Sequence, residues 1–133
     1  MKHIASFETA KKLEAAGFER PMPEIGQFWY VKNGGIRLIA GKRDGEFIVN
    51  GSFNGRWREL VFDATTFENW IYAPTATDLL EHEGSNCILW YDKFKQIWEC
   101  SKCNNYPDSM GETFTANKNA AEAVAEAFLS QSK

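Results

Sequence analysis

Ile71-Tyr72-Ala73-Pro74-Thr75-Ala76-Thr77-Asp78-Leu79-Leu80-Glu81-His82-Glu83-Gly84 holds the clearest local structure in the chain and separates two unlike halves. The residue before a proline is pushed out of the α region, so Tyr72 and Ala73 are expected to be extended. Thr75 reads as a helix N-cap, and Asp78, three residues on, can reach back to the cap's own N–H and close a capping box. Leu79 and Leu80 give one turn of apolar face, and Gly84 is placed to end it in the left-handed region. The stretch predicts a strand end, a proline corner and a short helix.

Upstream of the corner, the chain opens with a predicted helix. Ser6 caps it, and Phe7, Ala10, Leu13, Ala16 and Gly17 follow a period near 3.6. Gly17 sits where a C′ glycine belongs, with Phe18 folding back onto the last turn. Residues 19–26, with Pro21 and Pro23, read as a linker. A β-meander follows. Its predicted strands are residues 28–31, 36–40, 46–50 and 57–62, joined by turns at Asn33-Gly34-Gly35, Gly41–Gly45 and Gly51–Gly55. Alternation in the last of them sets Arg56 and Arg58 on the face opposite Trp57, and assigns the tryptophan to the core. Residues 64–70 read as an irregular connection into the corner.

Downstream, residues 87–91 and 96–100 form a predicted hairpin around Asp92-Lys93-Phe94-Lys95. Asn104 to Gly111, with Pro107, reads as a loop. A last helix is predicted from about Asn117 to Ser130, with Ala121, Val124, Ala125 and Phe128 as its apolar stripe and Glu122 and Glu126 on its wet face. Together these elements predict a single α+β domain over residues 1–133. Its antiparallel sheet, a meander plus a hairpin, packs with N- and C-terminal helices and a short corner helix.

A chain of 133 residues buries roughly two-thirds of its unfolded surface and needs no disulfide or metal to fold. Three cysteines are an odd number for a secreted disulfide framework, so reduced thiols in a cytosol are expected. No run approaches the ~20 apolar residues of a membrane helix, and Met1–Ser6 lacks the apolar region of a signal peptide. The net charge of −3 hides an asymmetry. Residues 32–58 carry six Lys/Arg against two acids, net +4, whereas residues 59–133 carry five Lys against twelve acids, net −7. Such a split marks a partner surface or two regions that attract each other.

Cys100-Ser101-Lys102-Cys103 is the one motif with metal or redox potential. Two cysteines at this spacing form half a zinc site, which Cys87 and His82 could complete. No second Cys-x-x-Cys exists, so the expectation is free thiols, no metal and no cofactor. A thioredoxin-type role would need the motif to open a helix, and here it ends a predicted strand. His82, near a helix end, is expected to be a solvated histidine satisfied by the helix C-terminus. His3 carries no signal, and Asp108 and Glu112 read as a polar loop. The glycines lack phosphate-loop spacing. The basic meander is the candidate binding surface: Lys32, Arg37, Lys42, Arg43, Arg56 and Arg58, interleaved with Phe47, Phe53 and Trp57. Cations and rings on a sheet are how single-stranded nucleic acid is held. An overall pI near 5.4 argues against nucleic acid and leaves a solvated cationic face, or one that docks on an acidic protein, as the other readings.

Ala10–Phe18 (a helix ending in Ala-Gly-Phe), Ala73–Gly84 (Ala-Pro-Thr…Leu-Leu) and Ala120–Leu129 (an Ala-Glu-Ala helix) resemble segments of a family of small bacteriophage and prophage proteins of unknown function. The resemblance covers roughly half the chain, and this sequence departs from it in its long meander and its Cys-x-x-Cys. It implies a mobile-element origin, the cytoplasm of a bacterial host cell, and a role without catalysis. The leading expectation is a non-enzymatic accessory protein acting through protein contacts, a host factor among them. The alternative is a binder of nucleic acid, a nucleotide or a small anion through residues 32–58. An enzyme ranks third, for want of a catalytic constellation.

Overall fold

A computed structural model describes residues 3–53, 55–82, 87–102 and 113–131. The fold is α+β. The chain divides into two compact units, residues 17–73 and residues 1–16 with 74–133, and the second boundary falls within the corner, between Ala73 and Pro74.

The unit of residues 17–73 is a five-stranded antiparallel sheet in the order β4-β3-β2-β1-β5. Its strands are β1 (Phe28–Tyr30), β2 (Ile36–Arg43), β3 (Glu46–Phe53), β4 (Arg56–Phe62) and β5 (Ile71–Ala73). The four predicted meander strands are present; β2, β3 and β4 run longer than expected, and β1 ends one residue earlier. Gly41 and Gly51, read as turn residues, lie inside β2 and β3. Gly41 follows a register shift after Ile39. Gly51 is a packing glycine, because a Cβ there would overlap the stem of Arg37 on the neighbouring strand. The β2–β3 turn shrinks to Asp44-Gly45, both at positive φ, 52° and 80°, which is the requirement of a type I′ hairpin.

One face of this sheet carries the core. Trp29, Tyr72, Ile39, Phe47 and Val49 pack with Phe67 and Trp70, and Phe18, Val31 and Phe62 flank them. Phe18 thus packs against this cluster. Phe67 belongs to a 3₁₀ helix, Ala64–Asn69, in the stretch expected to be irregular. Asp63 starts that helix, and its Oδ1 accepts from the Thr65 and Thr66 amides and the Thr65 hydroxyl. These bonds, the Thr65 hydroxyl first, hold its pKa below the usual carboxylate range and outweigh the opposing effect of desolvation.

The other unit builds on a three-stranded antiparallel sheet, β6 (Cys87–Asp92), β7 (Ile97–Lys102) and β8 (Thr113–Asn117), in that order. It also holds the helices α1 (Phe7–Ala15), α2 (Ala76–Glu81) and α3 (Ala120–Gln131). Strand β8 was missed, and the last helix starts three residues later than expected. Its small residues allow close approach to the sheet: the Thr115 hydroxyl donates to the Ala123 carbonyl at 2.6 Å. Asn119 caps α3 by accepting from the Ala121 amide, and its own amide donates to the Ile4 carbonyl. Glu122, expected on the wet face, instead accepts from the Ser6 amide and the Thr9 hydroxyl. It thus supplies in trans the carboxylate that a capping box would place on α1 itself.

The corner forms as read. Ile71–Ala73 is a strand, the Thr75 hydroxyl accepts from the Asp78 amide at 3.1 Å, and the Asp78 carboxylate accepts from the Thr75 amide at 2.9 Å. The helix ends at Glu81 with His82 as its C-cap. Gly84, expected to end it, lies outside the described residues. Thr75→Ala removes the cap and is expected to cost about 1 kcal/mol, read as a lower midpoint in urea denaturation with an unchanged slope. No helix among the described residues is long and apolar enough to cross a membrane.

Candidate functional site

The basic meander is built on β3 and β4. The two strands pair Phe47 with Phe62, Val49 with Leu60, Gly51 with Arg58 and Phe53 with Arg56. Directly paired residues share a face, so Arg56, Arg58, Leu60 and Phe62 lie on the face of the buried Phe47 and Val49. Trp57, Glu59 and Val61 lie on the other. The alternation was read correctly, but the face assignment inverts. Trp57, expected in the core, is 66% exposed, with Val61 at 49%. The core ends near Val49 and Leu60, and beyond it Arg56 and Arg58 reach solvent on the core-side face. A slip of one residue in the assumed face is enough to exchange every inside and outside position.

Strand β4 is also an edge of its sheet. Every residue from Arg56 to Val61 is exposed. An edge strand leaves alternate N–H and C=O groups directed away from its neighbour. Among the described residues no strand pairs with the outer side of this seven-residue strand, which carries two guanidinium groups on one face and an indole on the other.

The six candidate cations do not form one patch. Lys42 and Arg43 sit at the β2–β3 turn, and Arg56 and Arg58 at the β3–β4 turn. These turns are at opposite ends of the eight-residue β3, a separation of roughly 20 Å at the rise of a β-strand. Lys42 lies over the Phe47 ring, 5.3 Å from its centroid. Lys32 is exposed on the β1–β2 connection, at the same end as Arg56. Arg37 leaves the candidate set as a correction. It is buried, 8% exposed, with its stem across Gly51 and its Nη1 donating to the Ile36 carbonyl at 2.9 Å. Desolvation lowers its pKa from the ordinary arginine value, yet the guanidinium stays charged. Its role is to fill the core-side face between β2 and β3.

The metal alternative is only partly visible. Cys100 is fully buried on β7. His82 is half-buried, its ring perpendicular to Phe128 at 5.1 Å, where a solvated histidine at the helix end was expected. Cys103 and the side chain of Cys87 lie outside the described residues, as do Asp108, Glu112 and the loop from Asn104 to Gly111. Among the described residues no three His, Cys, Asp or Glu side chains gather as metal ligands.

Each unit also has a cleft among its described residues. In the unit of residues 17–73, a cleft of about 270 Å³ lies beside Arg20, Trp29 and Phe67. Arg20 is committed to structure there: its Nη1 donates to the Phe67 and Glu68 carbonyls at 2.7 and 3.3 Å. In the other unit, a cleft of about 530 Å³ is lined by His3, Thr77, Leu80, Leu89 and Trp98. His3, which carried no signal in the sequence, accepts from the Ala120 amide through Nδ1 at 3.0 Å and meets Trp98 edge-on. Its Nδ1 thereby satisfies an open donor of the first turn of α3. Comparison with protein-family models, curated proteins and solved structures finds no match.

Proposed function

We propose that this chain is a non-enzymatic binding protein that engages an acidic protein partner along the exposed edge of its five-stranded sheet. The observation that carries the reading is β4, exposed along its length, with Arg56 and Arg58 on one face and Trp57 and Val61 on the other. Edge arginines alone would be ordinary protection against aggregation. Protection does not account for an exposed indole and valine on the same strand, which carries no proline. A setting as a bacteriophage or prophage accessory protein in the bacterial cytoplasm, with a host factor as the partner, belongs to the same proposal. It rests on the sequence resemblance alone.

A second reading is favoured by one specific feature. With Trp57 in solvent rather than in the core, a ring is free to stack under a base beside two arginines, as in single-strand binding. Fluorescence titration of Trp57 with polyglutamate and with oligothymidylate separates the two. The acidic-partner reading expects polyglutamate to bind, with an affinity that falls as salt rises, and oligothymidylate to bind more weakly. Tighter binding of the oligonucleotide, with strong tryptophan quenching, would transfer the site to the second reading.

A further inference from the structure

Resting on β4 as the binding edge, we infer that the partner docks as an added β-strand, its acidic residues opposite Arg56 and Arg58 and its apolar residues opposite Trp57 and Val61. Two observations converge. Among the described residues no strand pairs with the outer side of β4, whose seven residues are long enough to accept a strand. Its two faces ask for different chemistry. On one, Arg56 and Arg58 are followed by the apolar Leu60 and Phe62; on the other, Glu59 separates Trp57 from Val61. Residues directly opposite across an antiparallel pair lie close enough to select one another, and like charges there are unfavourable.

The same rule weighs against a second copy as the occupant. Two copies joined edge to edge about a two-fold axis normal to the sheet pair residues symmetrically about a centre. The register that uses all of β4 is centred on Glu59 and sets that carboxylate against its own copy. A centre at Arg58 sets two guanidinium groups together. The edge is therefore better matched to a foreign strand than to itself. Running antiparallel, that strand reads apolar opposite Phe62, Val61 and Leu60, a hydroxyl residue opposite Glu59, then acidic, apolar, acidic opposite Arg58, Trp57 and Arg56. Backbone hydrogen bonds hold the strand, and the alternating side chains specify it.

The probe is a blocked peptide, Leu-Val-Leu-Thr-Glu-Ile-Glu, titrated against the full chain. Only alternate amides of an added strand face β4. N-methylation of one alternate set is expected to weaken binding at least about tenfold through several lost hydrogen bonds. N-methylation of the other set should leave binding within about twofold, a change too small to include a lost hydrogen-bond set. Equal effects from both sets would overturn strand addition and leave the basic-edge reading standing. Polyglutamate binding without peptide binding would do the same. Failure of both ligands, or a stable dimer broken by Arg58→Glu, would overturn the acidic-partner reading as well.

Discussion

Trp29→Ala is expected to cost about 3–5 kcal/mol of stability, the usual loss for truncating a buried large aromatic, while Trp57→Ala stays within about 0.5 kcal/mol, as surface substitutions do. The two tryptophans belong to one sheet and differ in what surrounds them. Trp29 is 1% exposed. Its ring meets Phe67 and Tyr72 edge-on at 5.3 and 5.1 Å, and its Nε1 donates to the Gln27 side chain at 3.0 Å. Alanine would open a cavity at the centre of the aromatic cluster and remove two ring pairs, each worth about 0.5–1.5 kcal/mol beyond its buried area. Against a typical total of about 5–15 kcal/mol, such a loss is large. Trp57 stands opposite Ser52 at the edge and gives up little. Urea denaturation of both variants checks the pair. Costs in the reverse order would invert the face assignment of β4.

Arg56→Glu combined with Arg58→Glu is expected to weaken binding of an acidic ligand strongly while the fold survives. Both side chains are exposed, so neither reversal disturbs the core, and stability should change by less than about 0.5 kcal/mol each. Removing two surface attractions and replacing them with repulsions is worth roughly 2–3 kcal/mol, a loss of about 30- to 150-fold. The matching reversal Lys42→Glu with Arg43→Glu acts at the far end of β3 and should weaken binding far less. Isothermal titration with polyglutamate measures both. A folded Arg56/Arg58 variant that binds at full strength would remove the site.

The parts of this fold that were legible in the sequence are local. Ser6 accepts from the Thr9 amide, and Thr75 and Asp78 form a reciprocal box. Both follow from spacings of three residues. What was not legible depends on partners far along the chain. Strand β8 pairs with β7 across residues 103–112. Glu122 caps a helix more than a hundred residues upstream. Gly51 looks like a turn residue until Arg37 is seen to lie across it. The candidate site was half legible. Charge counting found Arg56 and Arg58, and alternation separated them from Trp57. Alternation alone cannot say which face meets the core, because that is decided by Phe47 and Val49 on the next strand. Nor can a tally of cations reveal that six of them lie at two ends of a sheet with one buried.

The most direct measurement of the central claim is an amide chemical-shift map of the full chain titrated with the acidic-apolar peptide. Binding at the edge predicts the largest changes at residues 56–62, smaller ones on β3, and little change at Lys42 or Arg43. Changes centred instead on His3, Leu80, Leu89 and Trp98, with β4 unmoved, would contradict it.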